Sequence, residues 1–173
     1  YQQEIPVPLL KSTLLADIKA LLKVLRGNFN HQQLLILLTS NFFTIVDSDI
    51  IDYQLRQTVD QLRFDLEDWQ LVEFIIEKSE FEELKDALKQ IQSYCKWDIN
   101  QEINSRNFIE KLEELLTKWS LAENLTDAEQ NIKKAWQSFK EELISLVNIQ
   151  LESRSVIEWI DLLNLVLKQG YYI

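Results

Sequence analysis

The sequence predicts an all-α protein, an irregular helical bundle of about seven or eight helices. Three observations carry this reading. Gly and Pro number two each among 173 residues, against average usage of about 7% and 5%, so the chain lacks the turn residues that a β-sandwich or barrel needs. Apolar residues recur at three- and four-residue spacing along most of the chain. Three Ser/Thr-x-x-Glu sequences, Ser79 to Glu82, Thr126 to Glu129 and Ser155 to Glu158, each precede such a run. In this capping box the hydroxyl accepts the N3 amide and the carboxylate reaches back to the N-cap amide. The length fits one domain and suffices to bury roughly 70% of the unfolded surface.

Residues 1–11 form an expected extended N-terminal arm, because Pro6 and Pro8 restrict the residues before them. Residues 12–173 are expected to fold as a single helical domain. Ser12 is placed to cap a helix running to about Arg26, with Leu14, Leu15, Ile18, Leu21, Leu22 and Leu25 on one face. Gly27 stands where a helix C-terminus calls for positive φ. Asn30 is placed to cap a second helix over His31–Ser40. Its Leu34–Leu38 stretch is apolar all round, the pattern of a central or covered helix.

Asp47 and Ser48 restart the chain into a helix near Asp49–Arg63, and Phe64–Lys78 reads as a helix or helix pair. The first capping box starts the next helix at Ser79. Another fits Ser105–Lys118, built on Phe108, Ile109, Leu112, Leu115 and Leu116. The remaining boxes start a helix after Thr126 and a last one over Val156–Lys168, which Gly170 ends. Nine of the twelve residues from Val156 to Leu167 are apolar. That arc is too wide for a surface helix, so Trp159, Leu163 and Leu167 either fill the core or face a partner. One internal likeness stands out, between Ser105–Glu110 (SRNFIE) and Ser153–Glu158 (SRSVIE).

Charge is segregated. Residues 1–64 hold six acids and six bases, residues 131–173 five and five, and residues 65–130 seventeen and seven, so the whole net charge of −10 lies in the middle third. A duplex-binding surface carries a basic stripe instead. The acidic middle reads as a solvated face or as a docking face for a basic partner.

Little in the composition supports catalysis. His31 is the only His, so no His-based couple, triad or metal pair forms without unusual partners. The carboxylates Glu73 and Glu77, and Glu110, Glu113 and Glu114, lack the Glu-x-x-His repeats of helical di-metal sites. The two Gly residues lie far apart, which excludes a glycine-rich phosphate loop. The chain is therefore expected to be no enzyme and to need no metal or cofactor. Cys95 is the only Cys, which precludes an internal disulfide and fits a reducing, cytoplasmic setting. No apolar run reaches the roughly 18 residues of a membrane span. Trp97, Trp119 and Trp136 have basic neighbours in Lys96, Lys118, Lys133 and Lys134, a pattern that serves either core packing or stacking on single-stranded bases.

The stretch Ile18–Phe43, IKALLKVLRGNFNHQQLLILLTSNFF, resembles an element of the helicase-like subunits of RecB/AddB-type recombination enzymes. There an "xLLxLLxG" helix is followed by a polar start and "LLxLLxSPFF". Asn107–Trp119 and Ser155–Tyr172 resemble that family's "SxxEWxxLLxxLLxxxxY" helices. The resemblance implies a helical accessory domain of a longer helicase–nuclease, one that arranges motor and nuclease modules along DNA. A chain with no Met that begins Tyr1-Gln2-Gln3 is expected to be processed or cut from such a protein. The ATP-binding loop and the carboxylate–lysine nuclease motif of that family have no counterpart here. The implied partners are other domains or subunits, with DNA contacted weakly and no membrane. Any phosphate contacts would fall to Lys11, Lys19, Lys23, Arg26, Lys133, Lys134 and Lys140. A free-standing protein-interaction module with an acidic docking face is the alternative.

Overall fold

The structure is a computed structural model that describes residues 7–8, 13–62, 65–149, 152–169 and 171–172. Nine helices lie among these: α1 (Thr13–Arg26), α2 (His31–Leu38), α3 (Ile51–Asp60), α4 (Asp68–Lys78), α5 (Glu82–Cys95), α6 (Ser105–Lys118), α7 (Leu121–Asn124), α8 (Gln130–Ile149) and α9 (Val156–Gln169). Four two-residue strands accompany them. β1 (Val7–Pro8) pairs antiparallel with β4 (Tyr171–Tyr172), and β2 (Glu102–Ile103) with β3 (Arg154–Ser155). The expected all-α class is what the structure has, with the four-residue α7 as the helix that periodicity missed. Lys11, Ser12 and Gly170 lie outside the described residues, as does most of the expected arm.

The apolar stripes of these helices meet in one core. α1 packs against α2, α8 and α9; α4 against α5; and α6 against α8 and α9. Leu14, Leu15, Leu21 and Leu22 of α1 are fully buried, and so are Phe108 of α6, Phe139 of α8 and Trp159 of α9. Removing such side chains from water drives the assembly, each contributing roughly 1.5–3 kcal/mol. In α2, Leu34, Leu37 and Leu38 are buried while Leu35 and Ile36 are half-buried against the same core, which accounts for its all-round apolar sequence.

Polar groups decide where helices begin and end. Gly27 has φ +77°, its amide donates to Val24 O, and that of Asn28 to Lys23 O, the pattern that closes a helix through a left-handed residue. Gly27→Ala is expected to cost about 1–2 kcal/mol in a urea melt. The cost is backbone strain alone, since the added methyl meets only Trp69 Nε1 at 3.9 Å. Asn30 caps α2 in a complete box with Gln33. α2 stops at Leu38, short of the expected Ser40, because Ser40 Oγ accepts the amides of Phe42 and Phe43 and turns the chain.

The Ser/Thr-x-x-Glu sequences fare unequally. Ser155 Oγ accepts the Glu158 amide at 3.3 Å, as a cap should. Ser79 does not cap α5. Its hydroxyl accepts the Phe81 amide, which makes Phe81 the N-cap, and it meets the buried Thr58 hydroxyl at 3.2 Å. α8 starts at Gln130, beyond Thr126. α4 starts at Asp68, after a non-helical 65–67, while the expected start at Phe64 lies outside the described residues; Asp68 has φ +57° and forms a reciprocal clamp. Its Oδ1 accepts the Phe29 amide at 2.7 Å, while its own amide donates to Phe29 O at 2.9 Å. The SRNFIE and SRSVIE segments are not structural equivalents, since the first opens α6 while α9 begins three residues into the second.

Candidate functional site

The last-helix residues that would either fill the core or face a partner are internal. Trp159, Leu163 and Leu167 have no exposed surface, so the partner-facing reading of them is corrected. The physical reason is that α6 and α8 pack onto α9. The Trp159 ring lies 6.3 Å from Phe108, nearly parallel to it, and its Nε1 donates to Ile103 O at 2.8 Å.

The six expected phosphate-contacting cations that lie within the described residues fall on two helices, α1 and α8. Lys19, Lys23 and Arg26 are half-buried along α1. Arg26 makes a two-point ion pair with Asp161, Nε to Oδ1 at 2.7 Å and a second nitrogen to Oδ2 at 3.3 Å, and this bond raises the guanidinium pKa above its ordinary value. Lys133, Lys134 and Lys140 are exposed on α8, with the Lys140 ammonium 5.8 Å from the Trp136 ring.

Of the three tryptophans with basic neighbours, Trp119 is fully buried against Phe43. Trp97 lies half-buried in a small cleft between α5 and α6. There Lys111 and Lys118 sit over the rings of Trp97 and Tyr94, each at 4.8 Å. The Trp97 N–H donates to Tyr94 O, so the indole is already engaged within the fold.

A different surface carries a groove, part of which the sequence showed only as an acidic stretch. A shallow groove of about 380 Å³ runs between the 45–46 segment and one stripe of α5, lined by Ile45, Val46, Glu83, Asp86, Ala87 and Gln90. Glu83 joins its parts. Its Oε2 accepts Ser48 Oγ at 3.0 Å and Gln54 Nε2 at 3.3 Å, and Ser48 Oγ in turn accepts the Ile50 amide. Ile50 and Tyr53 stand beside that junction, 56% and 58% exposed. The Tyr53 ring meets Phe81 edge-on at 6.3 Å. The far side of the loop is pinned by Asn124, whose side-chain amide donates to Phe42 O and Thr44 Oγ1, and by the Thr44 amide on Trp119 O.

Charge around the groove is one-sided. Residues 44–53 and 80–90 contain seven carboxylates and two lysines. Asp52 pairs with Arg56 and Glu82 with Lys85. Asp47, Asp49, Glu80 and Asp86 are exposed. Among the described residues no group of three or more His, Cys, Asp or Glu is arranged to hold a metal ion, and no helix is long and apolar enough to cross a membrane. The Cys95 thiol is buried, and burial pushes its pKa far up, which suppresses the nucleophilic thiolate. The chain matches no protein-family model, no curated protein and no solved structure.

Proposed function

We propose that this chain is a non-catalytic helical docking domain whose partner is protein, acting as an accessory part of a larger machine. The observation that carries the reading is the groove beside α5, lined by Ile45, Val46 and Ala87 together with Glu83 and Asp86, with the exposed Ile50 and Tyr53 next to its Glu83 junction. The setting we propose is a DNA-processing helicase–nuclease subunit, on the resemblance of Ile18–Phe43 and the later helices to RecB/AddB-type subunits. In that setting the domain would position motor or nuclease modules and leave the chemistry to them.

The distribution of cations favours protein over nucleic acid as the direct partner. Arg26 is committed to Asp161 and the lysines of α1 are half-buried, which leaves Lys133, Lys134 and Lys140 on α8 as the exposed cations of the expected set, a small number to release counterions from phosphate on a chain of net charge −10. Duplex and single-stranded DNA are therefore expected to bind with Kd above roughly 100 µM even at low salt, as measured by fluorescence anisotropy. Micromolar, strongly salt-dependent DNA binding would overturn the protein-docking reading. The helicase–nuclease setting has its own test in the coding sequence around this segment. A flanking ATP-binding loop or nuclease motif supports it, and a start codon just before Tyr1 with a stop just after Ile173 removes it.

A further inference from the structure

We infer that the groove between the 45–46 segment and α5 takes a basic amphipathic helix of another polypeptide, with bulky apolar side chains against Ile45 and Val46, reaching the exposed Ile50 and Tyr53 beside the Glu83 junction, and lysines or arginines over the carboxylates. The inference rests on the docking-domain reading and names its occupant. Three features of the surface choose that chemistry.

The first is shape. One wall is the α5 stripe Glu83, Asp86, Ala87 and Gln90, at spacings of three, one and three residues, which is a single helical face. Ala87 at its centre leaves a depression, and the facing segment supplies Ile45 and Val46. A second helix laid along such a face places anchors at i, i+3 or i+4, and i+7.

The second is anchoring. Tyr53 offers an amphipathic ring already braced on Phe81. Aromatic residues held rigid before binding lose little entropy and dominate interface energetics. The Ser48–Glu83–Gln54 hydrogen bonds fix the junction of loop, α3 and α5, so the groove is formed before a ligand arrives.

The third is charge. Asp47, Asp49, Glu80 and Asp86 have no cation within ion-pair distance among the described residues. Nucleic acid and anionic lipid would meet this rim as like charge. A second copy is disfavoured for the same reason, because the chain carries −10 overall. A basic polypeptide gains at every carboxylate, in association rate most of all.

The test uses the whole chain and a synthetic amphipathic peptide of about 18 residues, with Leu and Phe on one helical face and Lys on the other. Two control peptides accompany it, one with Glu in place of Lys and one with the same composition scrambled. The Lys peptide is expected to bind at least about tenfold tighter than either control and to lose most of that affinity at high salt. Amide hydrogen exchange should slow across residues 44–53 and 80–90. The double charge reversal Asp47→Lys with Asp86→Lys, and separately Tyr53→Ala, should each weaken binding about tenfold or more. All three positions are exposed, and unchanged melting curves would certify the fold. Glu110→Lys, on the exposed side of α6, should leave binding unaltered.

Equal binding of the scrambled peptide, or insensitivity to both groove variants, overturns the inference. Tight Lys-peptide binding that protects some other surface also overturns it, while leaving the docking-domain reading intact. Failure of the Lys peptide to bind, together with micromolar DNA binding, overturns both. A sedimentation dimer that Tyr53→Ala dissociates would give the groove to a second copy and overturn the basic-partner assignment.

Discussion

Trp159→Ala is expected to destabilise the chain by roughly 3–5 kcal/mol, read as a shift in the urea midpoint followed by far-UV circular dichroism. Trp159 is fully buried, so truncation opens a large cavity at the meeting of α6, α8 and α9. Three further contacts go with it: the near-parallel Phe108 ring, the Arg154 guanidinium 5.8 Å from the ring, and the hydrogen bond to Ile103 O. That bond ties α9 to β2, the strand before α6. The α9 amides of Val156 and Ile157 are likewise taken by Gln101 O and Ile99 O, so this region locks one end of the bundle. Trp159→Phe keeps most of the packing and loses the N–H donor, and should cost about 1–2 kcal/mol. A loss below about 1 kcal/mol for the alanine variant would contradict the buried placement. Since small domains are stable by only about 5–15 kcal/mol, the alanine variant is expected to sit close to unfolding at 37 °C.

Asp17→Asn is expected to stabilise the protein above neutral pH by about 1–3 kcal/mol and to do little near pH 4. Asp17 is 8% exposed on α1, among buried Leu and Ile side chains. Burial pushes its carboxyl from 3.8 up to about 6, against the opposing effect of the Ser40 hydroxyl, which donates to Oδ2 at 2.6 Å. Between about pH 4 and pH 6 the unfolded chain releases this proton while the folded chain holds it. The folded state therefore binds more protons there, and this group's contribution to stability falls as pH rises. It is fully present below the unfolded pKa and lost through the folded one. A rise of about two pKa units corresponds to roughly 3 kcal/mol. Asparagine cannot ionise, and its carbonyl oxygen still accepts from Ser40. Comparing the urea midpoints of variant and parent at pH 4 and pH 7.5 cancels the other carboxylates, which titrate in both proteins. Equal effects of the substitution at the two pH values would contradict a buried, proton-holding Asp17.

Much of the fold was legible because helix periodicity and scarcity of turn residues are local signals. The Leu14–Leu25 stripe, the Asn30 cap and Gly27 at positive φ all stand where their residue types demand. Boundaries were less legible where a distant partner decided them. Nothing near Asp68 in sequence announces that its carboxylate will hold the Phe29 amide, 39 residues away, and that clamp sets the start of α4. Ser79 carried a capping-box pattern but spends its hydroxyl on Phe81 and Thr58, a choice made by the packing of α3 against α5.

The groove was less legible than the fold. The acidic surplus of residues 65–130, which include α5, read as a solvated face or as a docking face, and the wall made by Ile45 and Val46 comes from a stretch of the chain whose charges balance. An apolar residue looks the same in sequence whether it is covered or exposed. The same ambiguity left Trp159, Leu163 and Leu167 open between core and partner; they face inward, while Ile50 and Tyr53 face water.

The sequence by itself determined the helical class, most helix positions, the place of the excess negative charge and the absence of a glycine-rich phosphate loop. These follow from backbone preferences and from charges counted along the chain. Tertiary structure alone decided which apolar faces are covered, which ion pairs form and where a groove remains. Burial and desolvation depend on what the remote chain brings alongside, and that is why Asp17 holds its proton high while Asp47 and Asp86 lie open to solvent.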